Sequence, residues 1–159
     1  MDVSKQIEKP VKAMCLYGTD GEEKLEMIIT HVFSYNDSYD GIDFKGRLNI
    51  KTGCYEVSCN RCFFSTGALE RFYEELKTCY NTLKGEAGYA EMFSHDGELL
   101  FSVVMTKHGH AEVNGYFEET TSNSNKLIFN IKTDQTHIEK SLEDIKMVLL
   151  KWKKQMKGR

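Results

Sequence analysis

The 159 residues are 40% apolar and 28% charged, with one proline, Pro10, and a net charge of −3. This is the balance of a single folded domain with a proper core; it excludes a disordered chain and, with no apolar run near ~20 residues, a helix that spans a membrane. The five cysteines at 15, 54, 59, 62 and 79 are an odd number, which excludes a complete disulfide framework and, with no secretion-signal pattern over Met1–Gln6, points to a reducing cytoplasm.

Residues 1–10 read as a flexible N-terminal lead-in and 11–157 as a single α+β domain. Val11 to Tyr17 is a short first strand, and Gly18-Thr19-Asp20-Gly21 is a turn signal. Lys24 to Tyr35 follows as a long strand with Leu25, Met27, Ile29, His31, Phe33 and Tyr35 expected on one face. The loop Asn36–Gly41 leads into Asp43 to Thr52, where Phe44, Leu48 and Ile50 alternate with Lys45, Arg47, Asn49 and Lys51. Thr52-Gly53 turns the chain into Tyr55 to Phe64. Ser65-Thr66-Gly67 opens a helix whose apolar stripe is Leu69, Phe72, Tyr73, Leu76, Tyr80 and Leu83, with Gly85 as the residue after its end. Strands are expected again at Tyr89–Phe93, Leu99–Lys107 and His110–Thr120, linked by His95-Asp96-Gly97 and His108-Gly109, with the polar loop Thr121–Ser124 after them. In Lys126 to Lys132, Leu127, Phe129 and Ile131 alternate with Lys126, Asn130 and Lys132. Asp134, Gln135 and Thr136 then hold the N-cap of a long helix striped with Ile138, Leu142, Ile145, Leu149, Trp152 and Met156.

The short links favour antiparallel meanders. The expected architecture is an antiparallel β-meander sheet of about eight strands, in the order four strands, helix, four strands, helix, packed on two amphipathic helices.

Charge is unevenly spread. Residues 146–159 carry six basic residues and no acid, so the other 145 residues stand at −9 against the −3 of the whole. The basic turns read as a solvated helix end, where cations are favoured. The acidic body would repel phosphate, so no direct nucleic-acid binding is expected.

Candidate chemistry is sparse. Cys59-Asn60-Arg61-Cys62 has metal or redox spacing, but in a regular strand an offset of three sends the two sulfurs to opposite faces. His108-Gly109-His110 offers two imidazoles at a hairpin tip and no carboxylate partner in sequence. His31, His95 and His137 stand singly. Asp37, Asp40 and Asp43 recur every three residues, without the alternation and late Glu of a calcium loop. No nucleophile elbow or phosphate-cradling glycine loop occurs. No catalytic residue, cofactor or metal is therefore expected.

Over residues 66–142 the sequence resembles the WapI-type immunity family, small bacterial proteins that neutralise a partner toxin. The resemblance runs through Leu69, Phe72 and Leu76, then Gly85 and Gly88, then the hairpin Gly109-His110-Ala111-Glu112-Val113-Asn114-Gly115. It ends in Leu127-Ile128-Phe129-Asn130-Ile131-Lys132-Thr133-Asp134-Gln135-Thr136-His137-Ile138. Gly109, His110, Gly115, Leu127, Phe129, Asp134, Gln135 and Thr136 are motif positions with structural causes of their own. The resemblance implies a non-enzymatic cytoplasmic antitoxin whose partner is a cognate protein toxin, a nuclease with a basic cleft. Asp37, Asp40, Asp43, Glu118 and Glu119 are then the toxin-facing candidates, because an acidic face steers association with a basic one. The alternative is a small-molecule binder or enzyme with a pocket between sheet and helices, handled by Tyr55, Tyr73, Tyr80 and Tyr116.

Overall fold

The computed structural model describes residues 5–33, 40–93, 97–119 and 125–157. The chain runs β1 (Lys5–Tyr17), β2 (Lys24–Val32), β3 (Asp43–Thr52), β4 (Tyr55–Ser65), α1 (Thr66–Thr82), β5 (Glu86–Phe93), β6 (Gly97–Met105), β7 (His110–Glu119), β8 (Asn125–Asp134) and α2 (Gln135–Lys157). The expected α+β class holds, with eight antiparallel strands and two helices. The strands do not form one continuous sheet: they divide at α1 into two meanders, β1-β2-β3-β4 and β5-β6-β7-β8. The hairpins keep each ladder in register, whereas α1 carries the chain out of the plane between β4 and β5.

The sheets meet along two lines. At one, Ser65 N at the end of β4 donates to Glu91 Oε1 on β5 at 2.9 Å. At the other, Thr19 N donates to the Lys132 carbonyl at 2.9 Å, and Thr133 Oγ1 donates to the Tyr17 carbonyl at 2.7 Å. α1 packs on β5 and on α2, and α2 lies back on β1. The buried faces of both sheets and both helices share one apolar cluster. Within it Phe44 of β3 meets Trp152 of α2, with ring centroids 5.2 Å apart. Ser141, fully buried in α2, donates to the Cys15 carbonyl and ties that helix to β1.

Alternation predicts β3 and the core of β8 correctly. Phe44, Leu48 and Ile50 are buried, as are Phe129 and Ile131. It fails where strands bulge. The register between β2 and β3 shifts between Ile29 and His31. That extra residue reverses the alternation, so Val32 is buried while His31 and Phe33 are only half-buried, against the expected face. β4 carries a second bulge. Gly46 pairs with Cys62 and Leu48 with Cys59, so Asn60 and Arg61 together oppose Arg47, one residue of extra length. Cys59 and Cys62 consequently share the inward face, with Cys62 buried and Cys59 packed against the core, rather than lying on opposite faces.

β1 begins at Lys5, inside the expected lead-in: Lys5 and Gln6 pair with Val32 and His31 before the ladder resumes at Val11. Pro10 falls in that register shift, where an edge strand tolerates a residue without an amide hydrogen. The left-handed residue ending α1 is Leu83, at φ 56°, not Gly85 as expected; Leu83 is thereby turned off the apolar stripe to the surface. Asp134 caps α2, its Oδ1 accepting from His137 N at 3.1 Å. Tyr35, Asp37, His95, residues 120–124 and the Met156 side chain lie outside the described residues.

Candidate functional site

Of the expected acidic candidates, Asp40, Asp43, Glu118 and Glu119 lie toward one end of the two sheets. Asp43 opens β3 opposite Ser65 at the close of β4, and Ser65 is bonded to Glu91 near the close of β5. Across the second sheet at that end, Met92 pairs with Glu98, Glu98 with Glu118, and Glu118 with Lys126. Strand pairing thus places Asp43 and Glu118 at the same end of the fold.

The acids there are not equivalent. Asp40 takes a two-pronged ion pair from Arg71 of α1, Nη1 to Oδ1 at 2.8 Å and Nη2 to Oδ2 at 2.9 Å. Its backbone carbonyl accepts from Gly67 N at 2.8 Å. Ser65 Oγ lies 2.9 Å from Asp40 Oδ2 and 3.1 Å from Glu91 Oε1, so one hydroxyl proton is shared between two carboxylates. The same oxygen caps α1 by accepting from Ala68 N at 3.2 Å. Asp40 is therefore a clamp between the loop before β3 and the start of α1. The Arg71 guanidinium holds its carboxyl below the usual carboxylate range. Burial pushes Glu91 the other way, above its ordinary value. Asp37 is outside the described residues, while Glu118 pairs with Lys126 at 4.0 Å and Glu119 accepts from Asn125 at 3.3 Å.

The Asp40–Arg71 pair has a pH signature. A carboxyl with a depressed folded pKa contributes stability that is complete above its unfolded pKa of about 3.9 and is lost as pH falls through the depressed folded value. Both side chains are substantially exposed, so the contribution is only about 0.5–1 kcal/mol. Arg71→Met should cost that much in urea unfolding at pH 7, with the difference vanishing in melts near pH 2.

The outer face of the second sheet is the larger feature, and it was missed in the sequence. No helix covers it. Its side chains fall in cross-strand rows set by the register. The row Ala90, Leu100, Tyr116 and Ile128 includes two of the exposed large aliphatics of the fold, Leu100 at 40% and Ile128 at 76% exposure. Along one side run Glu98, Glu118 and Lys126. Lys126 Nζ stands 4.1 Å from the Tyr116 ring centroid, and desolvation together with the neighbouring Glu98 carboxylate pushes the Tyr116 phenol above its ordinary value. Along the other side lie Gly88, Ser102, Asn114 and Asn130. Between this face and α1 is a hollow of about 380 Å³, with Arg71, Glu75, Glu86, Gly88, Leu100 and Ser102 in its wall. Glu75 Oε2 accepts from Gly88 N at 2.8 Å, which holds α1 to the free edge of β5. The sequence signal for this face was the apolar pair Leu99-Leu100 and the run Leu127-Ile128-Phe129, where every second residue has to point away from the core.

The outer face of the first sheet differs. Glu26 there accepts from Asn49 at 3.1 Å and pairs with Lys12 and Lys24 at 3.8 and 3.4 Å. Charges satisfy one another across it, and it has no comparable apolar row.

The motif positions have structural work. Gly109, at φ 76°, turns the hairpin beside His108, and its carbonyl accepts from Gln135 N at 2.8 Å. Gly115 sits so close to the Leu100 carbonyl and Phe101 that a Cβ would collide with both. Phe129 is buried and Leu127 packs against the core. Asp134 binds His137 through both the backbone amide and the ring, Nδ1 at 2.8 Å. Thr136 follows Asp134 in the first turn of α2, whose cap is Asp134. His108 and His110 border a second hollow of about 690 Å³ with Lys107 and Lys132. Among the described residues no group of three or more His, Cys, Asp or Glu converges as metal ligands would. Tyr55, Tyr73, Tyr80 and Tyr116 sit on β4, α1 and β7 and line neither hollow. No helix among the described residues is long and apolar enough to cross a membrane.

A family model described as the immunity protein WapI-like family matches residues 15–152, from within β1 to within α2. Neither a curated protein nor a solved structure matches the sequence.

Proposed function

The chain belongs to the WapI-like immunity protein family, and from that premise we propose that it is a cytoplasmic antitoxin that binds a cognate toxin and occludes it without catalysing a reaction. The toxin we infer is a nuclease, since a cleft that holds phosphate is basic and complements an acidic inhibitor. The observation that carries this reading is the family match, which spans both sheets and both helices. The acidic body supports it, and so does the gathering of Asp43, Glu118 and Glu119 toward one end of the fold. Asp40 is committed to Arg71 and contributes by holding its loop rather than by offering a free charge.

The direct experiment is co-expression with the toxin domain encoded beside the gene: growth restored by this chain supports the reading, and undiminished killing refutes it. Neutralising the acidic end (Asp43→Asn, Glu118→Gln and Glu119→Gln together) should slow association about tenfold at low salt and flatten its dependence on ionic strength, with little change in dissociation. Stopped-flow rates unchanged from wild type would remove that end from the encounter.

A further inference from the structure

We propose that the outer face of the β5–β8 sheet, centred on Leu100, Tyr116 and Ile128, is the surface on which the toxin domain docks, and that the hollow beside Leu100, where Glu75 and Glu86 stand, receives a Lys or Arg side chain of that toxin. This rests on the antitoxin reading and adds to it the place and the chemistry of contact.

Three observations carry it. A half-covered sheet normally turns polar residues to water, and the first sheet is polar there, with Lys12, Lys24 and Asn49 gathered around a buried Glu26. The second sheet instead lines up Leu100, Tyr116 and Ile128 on three adjacent strands, two of them substantially exposed. An apolar centre with a polar rim is the anatomy of a protein interface.

The rim also selects its partner. Glu98 and Glu118 border the row on one side, and Glu75 and Glu86 stand in the wall of the hollow on the other. Of the cations nearby, Arg71 is spent on Asp40 and Lys126 is shared between Glu118 and the Tyr116 ring. The surplus is negative, so the surface that fits is apolar with basic residues around it. A second copy of this chain would set the same carboxylates against each other, which costs rather than gains.

The hollow makes the fit specific. It has a volume of about 380 Å³, and Leu100 belongs to both its wall and the apolar row, so one partner covers both. A long cation lying along Leu100 places its charge among Glu75, Glu86 and Ser102, as buried basic anchors do at interface hot spots.

The test is calorimetry of the full chain against the purified toxin domain encoded beside its gene. Ile128→Arg and Leu100→Arg should each weaken binding at least about 30-fold, with thermal melts as for wild type because both side chains already face water. Glu86→Gln should weaken binding and reduce its salt dependence. Met147→Arg, on the exposed side of α2, should stay within about threefold. Wild-type affinity in Ile128→Arg and Leu100→Arg, or loss confined to Met147→Arg, overturns the docking face and leaves the antitoxin reading standing. Failure of the wild-type chain to bind overturns both. Sedimentation showing a dimer that Ile128→Arg dissolves would give the face to a second copy and overturn the proposal.

Discussion

Gly46→Ala should destabilise the fold by at least about 3 kcal/mol, a large fraction of the 5–15 kcal/mol that holds a domain together. Gly46 lies in β3, which is paired on both sides, by β2 and by β4. A Cβ there would run into the Ile28 carbonyl oxygen and approach Phe64 Cε2 at 2.9 Å. The register shifts of both neighbouring ladders fall beside it, so neither strand can move away without breaking pairs. Gly88→Ala is the matched control. It too is a strand glycine, but its nearest obstacle is Glu75 Oε2 at 3.9 Å, and added β-propensity should leave it neutral or slightly stabilised. Urea midpoints decide the matter: the two variants should separate widely at unchanged slope, and equal midpoints would refute the steric explanation.

Phe72→Ala should cost about 3–5 kcal/mol, the usual range for emptying a buried aromatic site. Phe72 is fully buried on α1 and is the point where that helix grips the second sheet. Its ring meets Tyr89 edge-on at 5.9 Å and 87°, and Phe101 at 5.4 Å and 75°. Tyr89 and Phe101 are themselves stacked at 5.2 Å and 20°. Geometry of this kind contributes about 0.5–1.5 kcal/mol per pair beyond burial. Phe72→Leu, which keeps most of the volume, should lose less than half as much. A double-mutant cycle of Phe72→Ala with Phe101→Ala should show coupling of about 0.5–3 kcal/mol; additive losses would mean that the rings fill space without a specific contact.

Periodicity revealed most of the elements. β3 alternates cleanly, and Ile138, Leu142, Ile145, Leu149 and Trp152 of α2 are all buried at their helical spacing. The bulges were not legible. One inserted residue reverses the inward set, as at Ile29–His31 and Cys59–Cys62, and no residue in either place announces it by type. Leu83 was misread because a left-handed terminus favours glycine, and Gly85 stands two residues further on. Of the acidic candidates, sequence spacing grouped Asp40 with Asp43, yet Asp40 is fixed by Arg71, 31 residues away. The open apolar row was equally hidden, since Leu100, Tyr116 and Ile128 become neighbours only when β6, β7 and β8 take their register.

What the amino-acid order determined by itself was the local material: where the chain is strand or helix, which stripe of each helix is greasy, that Asp134 could start α2, and that charge is acidic in the body and basic at the end. These follow from short-range spacing and from side-chain chemistry, which need no distant partner. Only the tertiary structure decided that the eight strands part into two sheets, that Asp40 serves as a clamp, and that one sheet face is left uncovered by either helix, apolar within an acidic rim. Those are matters of which distant segments touch and which faces the helices leave open, and pairing energy across the whole fold, not any local run of residues, selects them.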